Sequence, residues 1–195
     1  MSARIVQFFL ILIIASSCKK NMQKVDKIET AKSFYTSLND NDFKTATNVF
    51  LDSVRRYENG DSSVLSKDRF KNWLQWDSVF KPEYKILNIS ESTNGIQVRV
   101  SKTDKRIQFL NEEPVIFEEY LKFNSGKVES IEMVKYVVFH DDKWSANRAE
   151  LVSWIEENHP DLNGFLYDQT KKGGENYMKA IELFNNKTST LDSLE

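Results

Sequence analysis

The spacing of hydrophobic positions changes twice along the chain. After an apolar run at the N-terminus, Ile28, Ala31, Tyr35 and Leu38 fall three and four residues apart, with Phe34 beside them. That is the spacing of one helical face. Asn39-Asp40-Asn41-Asp42 stops this helix and offers Asn41 as the cap of a second, from about Asp42 to Leu51, burying Phe43, Ala46, Val49 and Phe50. A short strand from Val54 to Glu58 runs into the turn Asn59-Gly60-Asp61, and Ser66 caps a third helix whose Phe70, Trp73 and Leu74 share a face. Beyond Pro82 the period falls to two. Tyr84, Ile86 and Asn88 alternate with Lys85, Leu87 and Ile89, and Asn94-Gly95 marks a two-residue hairpin with Ile96, Val98 and Val100 alternating after it. Strands over Val115–Phe123 and Lys127–Val138, joined by Asn124-Ser125-Gly126, complete an antiparallel meander.

Three helices followed by a curved run of antiparallel strands predict an α+β domain with the helices packed on one face of the sheet. From Phe139 the pattern turns helical again. A helix from Asn147 to Asn158 carries Leu151, Val152 and Ile155 on one face, Pro160 opens a loop, and a last helix near Glu175–Phe184 carries Tyr177, Ile181 and Phe184. Gly173-Gly174 sets that last helix apart, and the Ser/Thr-rich tail over 187–195 is expected to fray. The helical extension, 139–186, either packs on the parent domain or covers its open end as a lid or partner surface.

The N-terminal segment says where the chain resides. Arg4 precedes an apolar run from Ile5 to Ala15, and Ser16-Ser17 lead to Cys18, the single cysteine. A basic residue, a short apolar run and small residues before a cleavage point form a secretory signal. A cysteine at the first mature position resembles a bacterial lipoprotein signal, although Ala15 stands where such signals usually carry Leu. The resemblance implies cleavage after residue 17, acylation of Cys18 and a polar tether over 18–25 that holds the chain to a membrane. The rival reading is an ordinary signal that leaves Cys18 as a free thiol. Lys19 and Lys20 interrupt the apolar run too early for a spanning helix. With no acidic run after Cys18, the expected site is the bacterial cell envelope, on the periplasm-facing outer membrane. Acylated Cys18 leaves no thiol for a disulfide, a nucleophile or a zinc site. The formal net charge of −2 gives no basic face for nucleic acid.

The run Phe34-Tyr35-Thr36-Ser37-Leu38-Asn39-Asp40-Asn41-Asp42-Phe43, continuing to Asn48-Val49-Phe50-Leu51-Asp52, resembles the opening of the nuclear-transport-factor-two-like (NTF2-like) superfamily. That group includes ketosteroid isomerase, scytalone dehydratase and the SnoaL polyketide cyclases. The likeness covers residues 26–138 and implies a cone whose sheet and helices enclose an apolar cavity. Carried along the matched opening, the isomerase base falls at or beside Glu58, a carboxylate suited to moving a proton next to a carbonyl. The partner tyrosine falls on Phe34, which cannot donate to an oxyanion, with Tyr35 one place away on the wrong side of the helix. The ordinary fate of Glu58 is that of a solvated carboxylate at a strand end.

The candidates for lining a ligand pocket are Phe34, Tyr35, Trp73, Glu119, Tyr120 and Tyr136, with Glu132 beside them. Glu119 and Glu132 sit among apolar neighbours and are able to point inward, but their more ordinary role is cross-strand pairing with lysines such as Lys122 and Lys135. Arg55, Arg56 and Arg99 are able to bind an acidic ligand, but exposed salt bridging is their more ordinary fate. Neither His140 nor His159 has a second histidine at metal-ligand spacing, and no nucleophile elbow or glycine-rich phosphate loop is present. No metal or cofactor is therefore expected. The leading expectation is a membrane-tethered, non-catalytic cone domain. Its partner would be a small apolar ligand, an envelope protein or a second copy of the chain. The alternative is an isomerase, cyclase or dehydratase with Glu58 as base.

Overall fold

A computed structural model describes residues 26–191. The expected signal and tether, with Cys18, lie outside these residues, as do 192–195. The chain opens with helix α1 (Lys27–Asn39), whose first turn is capped by Asp26 accepting from the Glu29 amide. Helix α2 (Phe43–Asn48) is shorter than its sequence pattern suggested. Asp42, not Asn41, caps it by accepting from the Thr45 amide, while Asn41 takes a left-handed φ of 55° in the turn. The helix stops because Phe50 is taken into strand β1 (Phe50–Glu58), and the Val49 carbonyl accepts from the Val128 amide at 2.8 Å. β1 hairpins into β2 (Asp61–Ser66), and Ser66 caps helix α3 (Lys67–Ser78) through the Arg69 amide.

Next come β3 (Glu83–Ser92), β4 (Gly95–Thr103), a short helix α4 (Lys105–Leu110), β5 (Val115–Asn124) and β6 (Lys127–Val138). The six strands lie in one sheet in the order β2-β1-β6-β5-β4-β3. The sheet is mixed rather than wholly antiparallel, because β1 runs parallel to β6, with Tyr57 opposite Glu132. Three bulges in β6, at Glu129, Val134 and Val137, break its register with β5. Each bulge bends and twists the strand, so the sheet curls around α1 and α3 into the expected cone of the α+β class.

One core fills the cone: Phe34, Leu38, Phe50, Phe70 and Leu74 from the helical side meet Val98, Val100, Phe117, Leu121 and Ile131 from the sheet. A second core belongs to the C-terminal extension. Helix α5 (Asp141–Asn158) and helix α6 (Lys171–Leu191) bury Leu151, Ile155, Tyr177, Ile181 and Phe184 against Trp76, Phe80 and Leu110. Asn111, fully buried, fixes the junction by accepting from the His140 amide at 2.9 Å and donating to the Glu113 carbonyl at 2.9 Å. Gly173 and Gly174 lie inside α6, not before it. A Cβ on Gly174 would stand 3.0 Å from the Trp76 carbonyl oxygen, so the bare backbone lets α6 close on α3. Helix α6 extends to Leu191, and the rest of the tail expected to fray lies outside the described residues.

Candidate functional site

The cone encloses a cavity of about 310 Å³. Its walls follow from the alternation of each strand. In β5, Val115, Phe117, Glu119, Leu121 and Phe123 all turn inward, and in β4 the series Ile96, Val98, Val100 continues to Lys102. In β6 the bulges change the parity, so Ile131, Met133 and then Tyr136 reach the cavity. From the helices come Phe34, Tyr35, Leu38, Phe70, Trp73 and Leu74, while Phe139 and Trp144 close the remaining side.

Glu119 is the one carboxylate among the described residues that line this space. It is 8% exposed, and its Oε2 accepts a 2.7 Å hydrogen bond from the Tyr35 hydroxyl. Burial pushes the Glu119 carboxyl above its usual range, since an apolar wall disfavours the charge. The Tyr35 hydrogen bond and the charges of Arg56 and Lys102 oppose this without cancelling it. Burial, reinforced by Glu119, pushes the Tyr35 phenol well up, so it remains a donor.

At the α4 end of the cavity lies a charged cluster. Lys102 Nζ donates to both Asp77 oxygens at 2.7 and 2.9 Å and stands 3.5 Å from Asp104 Oδ2. The Tyr84 hydroxyl donates to Asp77 Oδ2 at 2.8 Å, and Arg106 Nη2 is 3.8 Å from each carboxylate. Burial alone would raise the Asp77 carboxyl. The Lys102 and Arg106 charges, with the hydrogen bonds from Lys102 and Tyr84, outweigh it and hold the group below its usual range. Arg56, at the mouth, lays its guanidinium over the Trp73 ring, 5.1 Å from the centroid.

Structures with a similar course are known at low sequence identity. An NTF2-like protein of unknown function from Cytophaga hutchinsonii matches with a TM-score of 0.47 and 12% identity, over 59% of this chain and 93% of that one. A protein from Kribbella flavida matches at 0.50 and 12%, over 63% and 93%. An uncharacterised cystatin-fold protein from Novosphingobium aromaticivorans matches at 0.49 and 16%, over 56% and 98%. The likeness is one of fold. No protein-family model matches the chain, and no curated protein matches its sequence.

The candidate residues divide cleanly. Phe34, Tyr35, Trp73, Glu119 and Tyr136 come together on the cavity wall. Tyr35 therefore stands on the cavity side of α1, not the wrong side. Tyr120 does not line the cavity. It points to the outer sheet face, where its hydroxyl donates to the Thr93 carbonyl at 3.0 Å. Glu132 is likewise exposed on that outer face. Glu58 lies outside the cavity wall, in a neighbouring groove with Asn59 and Asp61, and its Oε1 accepts from the Tyr136 hydroxyl at 2.6 Å. Lys102, Asp77, Tyr84 and Arg106 were missed. Lys102 carried a readable signal, since the inward alternation of Ile96, Val98 and Val100 continues to it and a core-facing lysine needs a carboxylate.

Proposed function

We propose that this chain is a membrane-tethered binding protein whose cone cavity holds a small, largely apolar ligand. The observation that carries the reading is the cavity itself: about 310 Å³ behind largely aromatic and aliphatic walls, with Arg56, Lys102, Arg106 and Glu119 as its charged groups. The Tyr35–Glu119 pair supplies hydrogen-bonding capacity deep in that wall. When Glu119 holds its proton, Oε2 serves the Tyr35 hydroxyl and the other oxygen is free to donate to a carbonyl or hydroxyl of the ligand. The membrane tether rests on the signal-like segment ending at Cys18.

The catalytic alternative loses support at Glu58, whose carboxylate lies in the outer groove and is engaged by Tyr136. A proton abstraction also needs a base as well as an oxyanion donor. Glu119 is the one carboxylate on the cavity wall among the described residues, and it is engaged by the Tyr35 hydroxyl. Native mass spectrometry of the full chain, extracted gently from its host envelope, tests both parts. Acyl mass on Cys18 and a released small molecule are expected. A bare thiol on Cys18 refutes the tether, and an empty protein from several growth conditions refutes the binding role.

A further inference from the structure

Three cations line the cavity, and they are not equivalent. Lys102 and Arg106 face Asp77 and Asp104, two cations against two carboxylates. The Arg56 guanidinium has no ion pair or hydrogen bond with any described residue. It rests on Trp73, which covers one face of the guanidinium and leaves its N–H edge uncommitted. Arg56 also borders the outer groove beside Glu58, which places it at the mouth between cavity and solvent. The two carboxylates nearest it are held elsewhere: Glu119 accepts from Tyr35 and Glu58 from Tyr136, and neither forms an ion pair with Arg56.

We infer that the cavity's ligand is an apolar or aromatic monocarboxylate, with its carboxylate received by Arg56 at the mouth and its body lying against Trp73, Phe34 and Phe117. This rests on the binding role proposed above and specifies the ligand class. The planar N–H fork of arginine matches a carboxylate edge to edge, and the contact is stronger in a half-buried wall than in open water. One cation without an ion pair among the described residues matches one negative charge. A phosphate dianion would bring a second charge towards Glu119 and Glu58, with no second cation to meet it.

The test is isothermal titration of the full chain with two probes that share a ring system, 1-naphthaleneacetate and 2-(1-naphthyl)ethanol. A charge-assisted contact implies that the acid binds the wild-type chain about tenfold more tightly than the alcohol. Raising the salt should narrow that ratio. Arg56→Gln should bring the ratio to about one, and Arg56→Lys, which keeps the charge without the fork, should recover part of it. Equal affinities in the wild type, or a ratio unchanged in Arg56→Gln, overturn the inference and leave the binding role intact. Failure of both probes to bind the wild-type chain overturns the two together.

Discussion

Replacing Lys102 by Met should destabilise the fold by about 3 kcal/mol. In the wild type, Asp77 and Asp104 are 3% and 0% exposed, and their two charges are balanced by Lys102 and Arg106. The substitution keeps the aliphatic stem and removes the ammonium that stands 2.7 Å from Asp77. Two buried carboxylates then share one guanidinium at 3.8 Å. Breaking a buried pair on one side costs roughly 3–5 kcal/mol, because the remaining charge has lost its compensation. The lower end applies here, since the Tyr84 hydroxyl still donates to Asp77. For a chain of this size the loss corresponds to a Tm lower by about 6–12 °C. Urea and thermal unfolding would measure it. Adding Asp77→Asn, which restores neutrality and still accepts from Tyr84, should recover most of the loss. A single variant within about 1 kcal/mol of wild type, or a double variant no more stable than the single, would refute the charge-balance reasoning.

Two further outcomes follow from individual side chains. The Glu119 carboxyl titrates above its ordinary 4.5 in the folded state, so the folded chain holds that proton where the unfolded chain has lost it. The stability it contributes is present at low pH and disappears as pH climbs through the raised value. Glu119→Gln should therefore match wild type near about pH 4 and be the more stable at about pH 8 in urea titrations; an equally steep decline in both proteins would remove the basis for this. Gly95→Ala should cost about 1–3 kcal/mol, because its Cβ would lie 2.5 Å from the Leu121 carbonyl oxygen and 2.5 Å from the Tyr120 ring. An unchanged urea midpoint would show that the hairpin shifts freely.

What the sequence made legible, and what it hid, follows from the range of the forces involved. Local signals carried well: the helical face of α1, the Ser66 cap and the turns at Asn59-Gly60, Asn94-Gly95 and Ser125-Gly126 all depend on neighbours along the chain. The parallel pairing of β1 with β6 joins segments far apart in sequence, and no local pattern announces it. The bulges of β6 space its inward residues Val128, Ile131, Met133 and Tyr136 by three, two and three, which reads as neither strand nor helix. For that reason the cavity face of β6 could not be chosen in advance. Tyr35 teaches a different lesson. Its own helical period, with Ala31 and Leu38, already placed it on the buried face. Transferring a role by position along a family motif set it on the wrong one.

The extension is best understood as part of the cavity wall rather than as an appendage. Phe139 and Trp144 line the cavity, and the rings Tyr136, Phe139 and Trp144 follow one another at centroid separations of 5.0 and 5.5 Å. Arg106 joins the two cores: its guanidinium lies 4.8 Å from the Trp76 ring centroid and 4.9 Å from that of Phe80, while it also lines the cavity and faces Asp77. Helix α3 serves both sides, with Phe70 and Leu74 in the cone core, Trp76 in the extension's core and Trp73 touching each. Packing on the parent domain and closing its open end are therefore one act. Without α5 and α6 the α4 end of the cavity would lose its aromatic cover. The Lys102–Asp77–Asp104–Arg106 cluster would then lie closer to water, where ion pairs contribute little.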